Sequence, residues 1–143
     1  MSTEHAAAPR PQGDYVAAVL HDGIVYTAGM TPRRDGRLAV TGVVGADLML
    51  DEARAAAGIA AENAVAAIRS VLPSRTAAVR CLRMTVFVAC SPGFTELSAV
   101  ADGASAIIRA ELGAAAMPVR SAIGVLALPS GAPVEVEVTV AVL

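Results

Sequence analysis

Residues 117–143, MPVRSAIGVLALPSGAPVEVEVTVAVL, decide how the rest of the chain is read. In the last run Val134, Val136, Val138, Val140 and Val142 alternate with Glu135, Glu137, Thr139 and Ala141, the period of a strand with one face in a core. The run 119–128 reads as a second strand, joined to the last by PSGAP. Three charges interrupt this apolar stretch: Arg120, Glu135 and Glu137. If the two runs pair as a hairpin with Leu128 opposite Val134, Glu135 lies opposite Ala127, about 23 Å from Arg120 along an extended strand. In that register Arg120 and Glu135 meet only where a neighbouring copy lays its own strand alongside.

Working back from this stretch, residues 94–112 carry an apolar stripe at helical spacing, Leu97, Val100, Ala101, Ala104, Ile108 and Leu112, with Ser91-Pro92 as start and Gly113 as stop. Residues 78–89 read as a strand with Leu82, Met84, Val86 and Val88 on one face and Cys81, Arg83, Thr85 and Phe87 on the other. Residues 51–72 form a first helix, its stripe Ala57, Ala61, Val65, Ile68 and Leu72 ended by Pro73. Near the N-terminus YVAAVL and IVYTAG flank His21-Asp22-Gly23, a hairpin signal, and Asp35-Gly36 marks a second turn. The order ββ(β)αβαββ predicts an α+β fold, a mixed sheet with two helices on one face. Residues 13–143 make one domain behind a disordered lead-in at 1–12.

Composition narrows the function. The net charge is -2, and all eleven basic residues are arginine. Aromatics are 3%, so the cationic, stacking surface that nucleic acid requires is missing. The short cluster Arg33, Arg34 and Arg37, interrupted by Asp35, reads as a solvated turn. Cys81 and Cys90 lack metal-ligand spacing and read as structural thiols; His5 falls in the lead-in and His21 in a turn. With neither a signal peptide nor a membrane-spanning run, the expected location is the cytoplasm. A hydrophobic content of 55% is high for a soluble monomer and points to apolar surface covered by other copies of the chain.

From about Gly13 onward the chain resembles the Rid family, the YjgF-type imine deaminases also labelled endoribonuclease L-PSP. GDYVAAV at 13–19 is similar to the family's GPYSQAV, AGMTP at 28–32 to its SGQIP, and TVFVACSPGF at 85–94 to its TVYLTDMDDF. The terminal block from Met117 to Val142 resembles PARSAVEVAALPKGALVEIEAIAV, and Asn63 extends the match. The resemblance implies a fold like that of the trimeric chorismate mutases, a homotrimer, and a cleft between subunits. It also implies hydrolysis of reactive enamine or imine intermediates, 2-imino acids giving 2-keto acids and ammonia, with neither metal nor organic cofactor.

Carried over residue by residue, the resemblance makes Arg120 the anchor for a substrate carboxylate and Glu135 the group that orients water and relays a proton. Tyr15 and Gly29 line the cleft, and a main-chain group at Ala122 holds water. Glu137 has no counterpart in that set and reads as structural. Four positions depart from the family: Ala28, Met30, Ala122 and Gly124 stand where it has serine, glutamine, cysteine or serine, and often glutamate. The cleft is therefore less polar than a typical deaminase's. An alternative follows, a non-catalytic homotrimer that binds a small carboxylate metabolite or acts as a regulator. In both readings the partner is a small carboxylate, with no nucleic acid and no membrane.

Overall fold

The computed structural model describes residues 8–143, which follow the expected order except that a separate two-stranded hairpin, one strand more than expected, precedes the first helix. The strands are β1 (Ala18–His21), β2 (Ile24–Thr27), β3 (Arg33–Arg34), β4 (Arg37–Leu38), β5 (Val79–Ala89), β6 (Val119–Val125) and β7 (Val134–Val142). Helix α1 (Leu50–Val71) precedes β5, and α2 (Leu97–Leu112) lies between β5 and β6. Five strands make one mixed sheet in the order β1-β2-β7-β5-β6, antiparallel except for the β5–β6 pair. Of the proposed lead-in, residues 1–7 lie outside the described residues.

The sheet holds because its strands agree on one face. Val134, Val136, Val138 and Val140 of β7 are fully or almost fully buried, as are Met84, Val86 and Val88 of β5. They pack under the alanine-rich side of α1, whose Ala57, Ala61, Val65 and Ile68 are buried as the spacing predicts, and under Val100, Ala104 and Ile108 of α2. Each buried valine contributes about 2 kcal/mol relative to exposure. The opposite face of the sheet carries Val19, Tyr26, Val119 and Ile123, all substantially exposed.

β6 and β7 do not pair as a hairpin. β5 lies between them, parallel to β6 and antiparallel to β7. The reason is the crossover: α2 carries the chain from the end of β5 back to its start, so β6 returns parallel along one edge of β5. The turn at Pro129–Gly131 then sends β7 to the other edge, where its valines complete the core.

Three further features differ from the sequence reading. A register shift between Cys81 and Arg83 buries Cys81 and turns Leu82 outward, because a bulge exchanges the faces of a strand on either side of it. Burial pushes the Cys81 thiol up to about 11, and both cysteines are free. Ser91-Pro92 does not cap α2. Ser91 instead forms a turn, its carbonyl accepting from the Phe94 amide at 3.0 Å, and the helix begins at Leu97. The strand expected over 119–128 stops at Val125.

The turns behave as their residues require. Asp22-Gly23 and Asp35-Gly36 have positive φ at both positions, which fits the right-handed twist of a tight hairpin. The second turn joins β3 to β4, and Arg34 of that hairpin sits 3.6 Å from Glu62 of α1. No helix among the described residues is long and apolar enough to cross a membrane.

The two helices touch backbone to backbone at Gly103. A β-carbon there would overlap the carbonyl oxygen of Arg54, and Gly58 faces the Gly103 carbonyl from the other helix. Gly103→Ala must push the helices apart, and overpacking of this kind costs about 2–3 kcal/mol. The expected result is a thermal midpoint lower by about 5–10 °C, read by circular dichroism. An unchanged midpoint would show that the helix pair yields at no cost.

Candidate functional site

Lateral pairing fixes which way each candidate points. Arg120 pairs with Met84 on β5, which pairs with Val138 on β7, so Arg120 lies on the face covered by the helices. Ala122 pairs with Val86 and Gly124 with Val88, on that same face. Glu135 pairs with Phe87, which pairs with Ile123, and these occupy the open face. Arg120 and Glu135 of one chain are therefore on opposite sides of the sheet. The hairpin separation is superseded: Glu135 is offset from Arg120 by two strand spacings and three residues, about 14 Å at the backbone. What keeps the two apart is the sheet itself.

Arg120 is closely held by α2. Its Nη1 donates to Asp102 Oδ1 and to Ser105 Oγ, both at 2.8 Å, and its Nη2 donates to Ser98 Oγ at 2.7 Å and the Ser98 carbonyl at 3.3 Å. The Arg120 side chain is 20% exposed and that of Asp102 62%. Of the five N–H groups of the guanidinium, only Nε–H makes no hydrogen bond among the described residues. Nε and Nη2 share one edge of the guanidinium plane, and Nη1 lies away from it. Nη2 makes both the shortest and the longest of the four bonds, each to Ser98.

Ser98, Asp102 and Ser105 escaped the sequence reading, although their spacing of four and three places them on one side of α2. The signal was a short polar stripe running beside the apolar one. Only the return of β6 alongside α2 shows what it faces.

On the open face, the Glu135 side chain lies directly over Gly29, so any side chain at residue 29 would collide with its carboxylate. Glu135 is half-buried and makes no hydrogen bond or ion pair among the described residues. Burial, and then the neighbouring Glu137 carboxylate, push its pKa above the ordinary glutamate value. Glu137 itself is exposed, opposite Thr85.

Gly29 also lines a small cavity of about 30 Å³ together with Tyr15, Arg33, Asn63 and residues 9–12. Tyr15 accepts a hydrogen bond on its hydroxyl from the Gln12 amide at 3.2 Å, which ties the segment before β1 to the cavity. Asn63 Nδ2 donates to the carbonyls of Thr31 and Arg33, anchoring the loop after β2 to α1. A larger groove of about 360 Å³, bordered by Thr41, Val43, Leu126, Leu128 and Ser130, has no titratable side chain in its lining.

The five candidates thus fall into two groups. Tyr15, Gly29 and Glu135 gather around the end of β2. Arg120 and Ala122 lie on the other side of the sheet, on β6 beside α2. The first group offers a carboxyl with a raised pKa over a side-chain-free backbone. The second offers a guanidinium whose one uncommitted donor lies on the edge suited to a carboxylate.

Comparison with known proteins places this arrangement. The family model described as Endoribonuclease L-PSP matches residues 5–142. Protein TCP17 of Trypanosoma cruzi is 37% identical over 135 residues, 94% of this chain and 84% of that protein. The solved structure of the protein Atu1372 from Agrobacterium tumefaciens, whose function is unknown, is 32% identical with a TM-score of 0.85, covering 91% of this chain and 82% of that one. The structure of E. coli TdcF with bound serine has the same fold, with a TM-score of 0.70 at 23% identity over 98% of this chain and 96% of that one. With the sequence match spanning nearly its whole length and the same two-helix mixed-sheet fold in its relatives, the chain belongs to the endoribonuclease L-PSP family, also known as the YjgF or Rid family.

Proposed function

We propose that the protein hydrolyses small 2-imino acids, or the enamines in equilibrium with them, to 2-keto acids and ammonia, in clefts between the copies of a homotrimer. The observation that carries this reading is Glu135, an unpaired, half-buried carboxyl lying over Gly29 beside the Tyr15 cavity. A carboxyl of that kind takes a proton from water as the water attacks the imine carbon, then returns it to the departing nitrogen. Arg120, carried by the opposite side of the sheet, holds the substrate carboxylate from a neighbouring copy. The exposed apolar residues of the open face, Val19, Tyr26, Val119 and Ile123, support the assembly that this requires. The E. coli relative solved with serine supports a small amino-acid-like carboxylate as the ligand class.

A second reading is favoured by the hydrogen bonds around Arg120 and by the apolar character of Ala28 and Met30. In it the cleft binds a small carboxylate without turning it over. The two readings part in one assay, in which an amino-acid oxidase generates imino acids in situ and ammonia or keto-acid release is followed. Hydrolysis requires that wild type accelerate release and that Arg120→Ala lose most of the acceleration, about 100-fold or more for a charge-assisted carboxylate anchor. Arg120-dependent thermal stabilisation by a carboxylate, without acceleration, selects the binding protein.

The pH dependence tests Glu135. As a base it works ionised, and its pKa is raised, so the acidic limb of activity should lie above the ordinary glutamate value and vanish in Glu135→Gln. Stability follows the same shift. Because the folded pKa exceeds the unfolded one, Glu135 is best tolerated protonated, and the contribution of protonation is lost as pH rises through the folded pKa. Wild type should therefore gain on Glu135→Gln as pH falls from neutrality toward the unfolded glutamate pKa. Thermal melts across that window check the sign.

A further inference from the structure

The cavity bordered by Tyr15 and Gly29 is lined by two arginines and no carboxylate. One of them, Arg33, belongs to the turn cluster that the sequence reads as solvated. Arg34 and Arg37 are exposed as that reading expects, whereas Arg33 is half-buried. Its Nη1 donates to the Gly36 carbonyl at 2.9 Å, and its Nε is the one buried side-chain nitrogen or oxygen among the described residues without a hydrogen-bond partner. Arg10, on the segment before β1, supplies the second guanidinium, which makes no hydrogen bond or ion pair among the described residues. We infer that this cavity is an anion subsite for the distal end of the substrate. It selects dicarboxylic 2-imino acids, those with a second carboxylate at the end of the side chain, over monocarboxylic ones of equal length. The inference rests on the proposed hydrolysis and names the substrate class within it.

Size and chemistry both suit a carboxylate. A volume of about 30 Å³ holds roughly two water-sized groups, the bulk of two carboxylate oxygens and less than a phosphate needs. Tyr15 accepts the Gln12 amide on its hydroxyl oxygen, which leaves its own O–H to donate. Asn63 holds the main chain of Arg33 in place by donating to its carbonyl at 2.9 Å. Gly29 joins the two parts of the proposed site: Glu135 lies over its α-carbon, and the same residue borders the cavity, whose lining excludes Glu135. A substrate attacked beside Glu135 therefore extends its side chain past Gly29 toward the arginines. A buried guanidinium nitrogen without a partner is costly, and an anion beside it offsets that cost through charge. An apolar side chain of the same length leaves both arginines uncompensated, which is the source of the discrimination.

The test compares the imines of glutamate and norvaline, generated in situ by amino-acid oxidases, which share a five-carbon chain and differ in the terminal carboxylate. Wild type should favour the glutamate imine in kcat/KM by about tenfold, the scale of one hydrogen bond to a charged group. Arg33→Met and Arg10→Ala should each reduce that ratio, and Arg33→Lys should keep part of it. Thermal melts confirm that each variant is folded; Arg10 is exposed, so Arg10→Ala decides the matter if Arg33→Met does not fold. A second readout needs no turnover: calorimetric titration of the full-length protein should show glutarate binding more tightly than pentanoate, with the same losses in the variants. Equal kcat/KM for the two imines in wild type, or a preference that survives both substitutions, would overturn the inference and leave hydrolysis standing. A glutarate preference that depends on Arg10 and Arg33, without acceleration of either imine, would support the anion subsite and remove the hydrolysis. Equal affinity for glutarate and pentanoate would count against the subsite whatever the turnover.

Discussion

The seating of β7 against β5, with one face sealed beneath the two helices, is the constraint on which the rest of the molecule depends. A strand has only two faces. Once Val134, Val136, Val138 and Val140 enter the core, Glu135 and Glu137 have no choice but the open side. The same rule, transmitted through β5, turns Arg120 of β6 toward the helices. The two charged residues that chemistry would most readily combine are separated by the sheet that presents them.

That separation gives the fold a particular economy. A single chain carries a carboxyl at the end of β2 and a cation beside α2, without allowing them to neutralise each other. Arg120 instead finds Asp102, Ser98 and Ser105, and Glu135 has no ionic partner among the described residues. Arg120 is preorganised by hydrogen bonds, and Glu135 is held with a raised pKa. The missing side chain at Gly29 completes the arrangement by letting Glu135 lie against the backbone.

Much of this was legible from one strand's alternation and two helical stripes. The faces of β7, the buried side of α1, the Asp-Gly turns and the stop at Gly113 all appear as periodicity or as residues with a single conformational use. Family resemblance selected Arg120, Glu135, Tyr15 and Gly29. The errors were of one kind, a local pattern overridden by a distant contact. Leu82 alternates with Met84 but is turned out by the bulge, and Ser91-Pro92 resembles a helix start but is drawn into a turn paired with Val44. Adjacent strands in sequence looked like a hairpin because nothing local reveals a third strand between them.

The sequence by itself determined which residues share a face, because strand and helix periods are properties of the backbone and need no partner. It also determined that the apolar terminal stretch carried three charges requiring explanation. Only the tertiary structure decided which faces meet. Strand order depends on how the β5–α2–β6 crossover closes, a long-range choice that leaves no mark in local spacing. That choice put Asp102 on Arg120, placed Glu135 over Gly29, and set the two charges on opposite sides of one sheet.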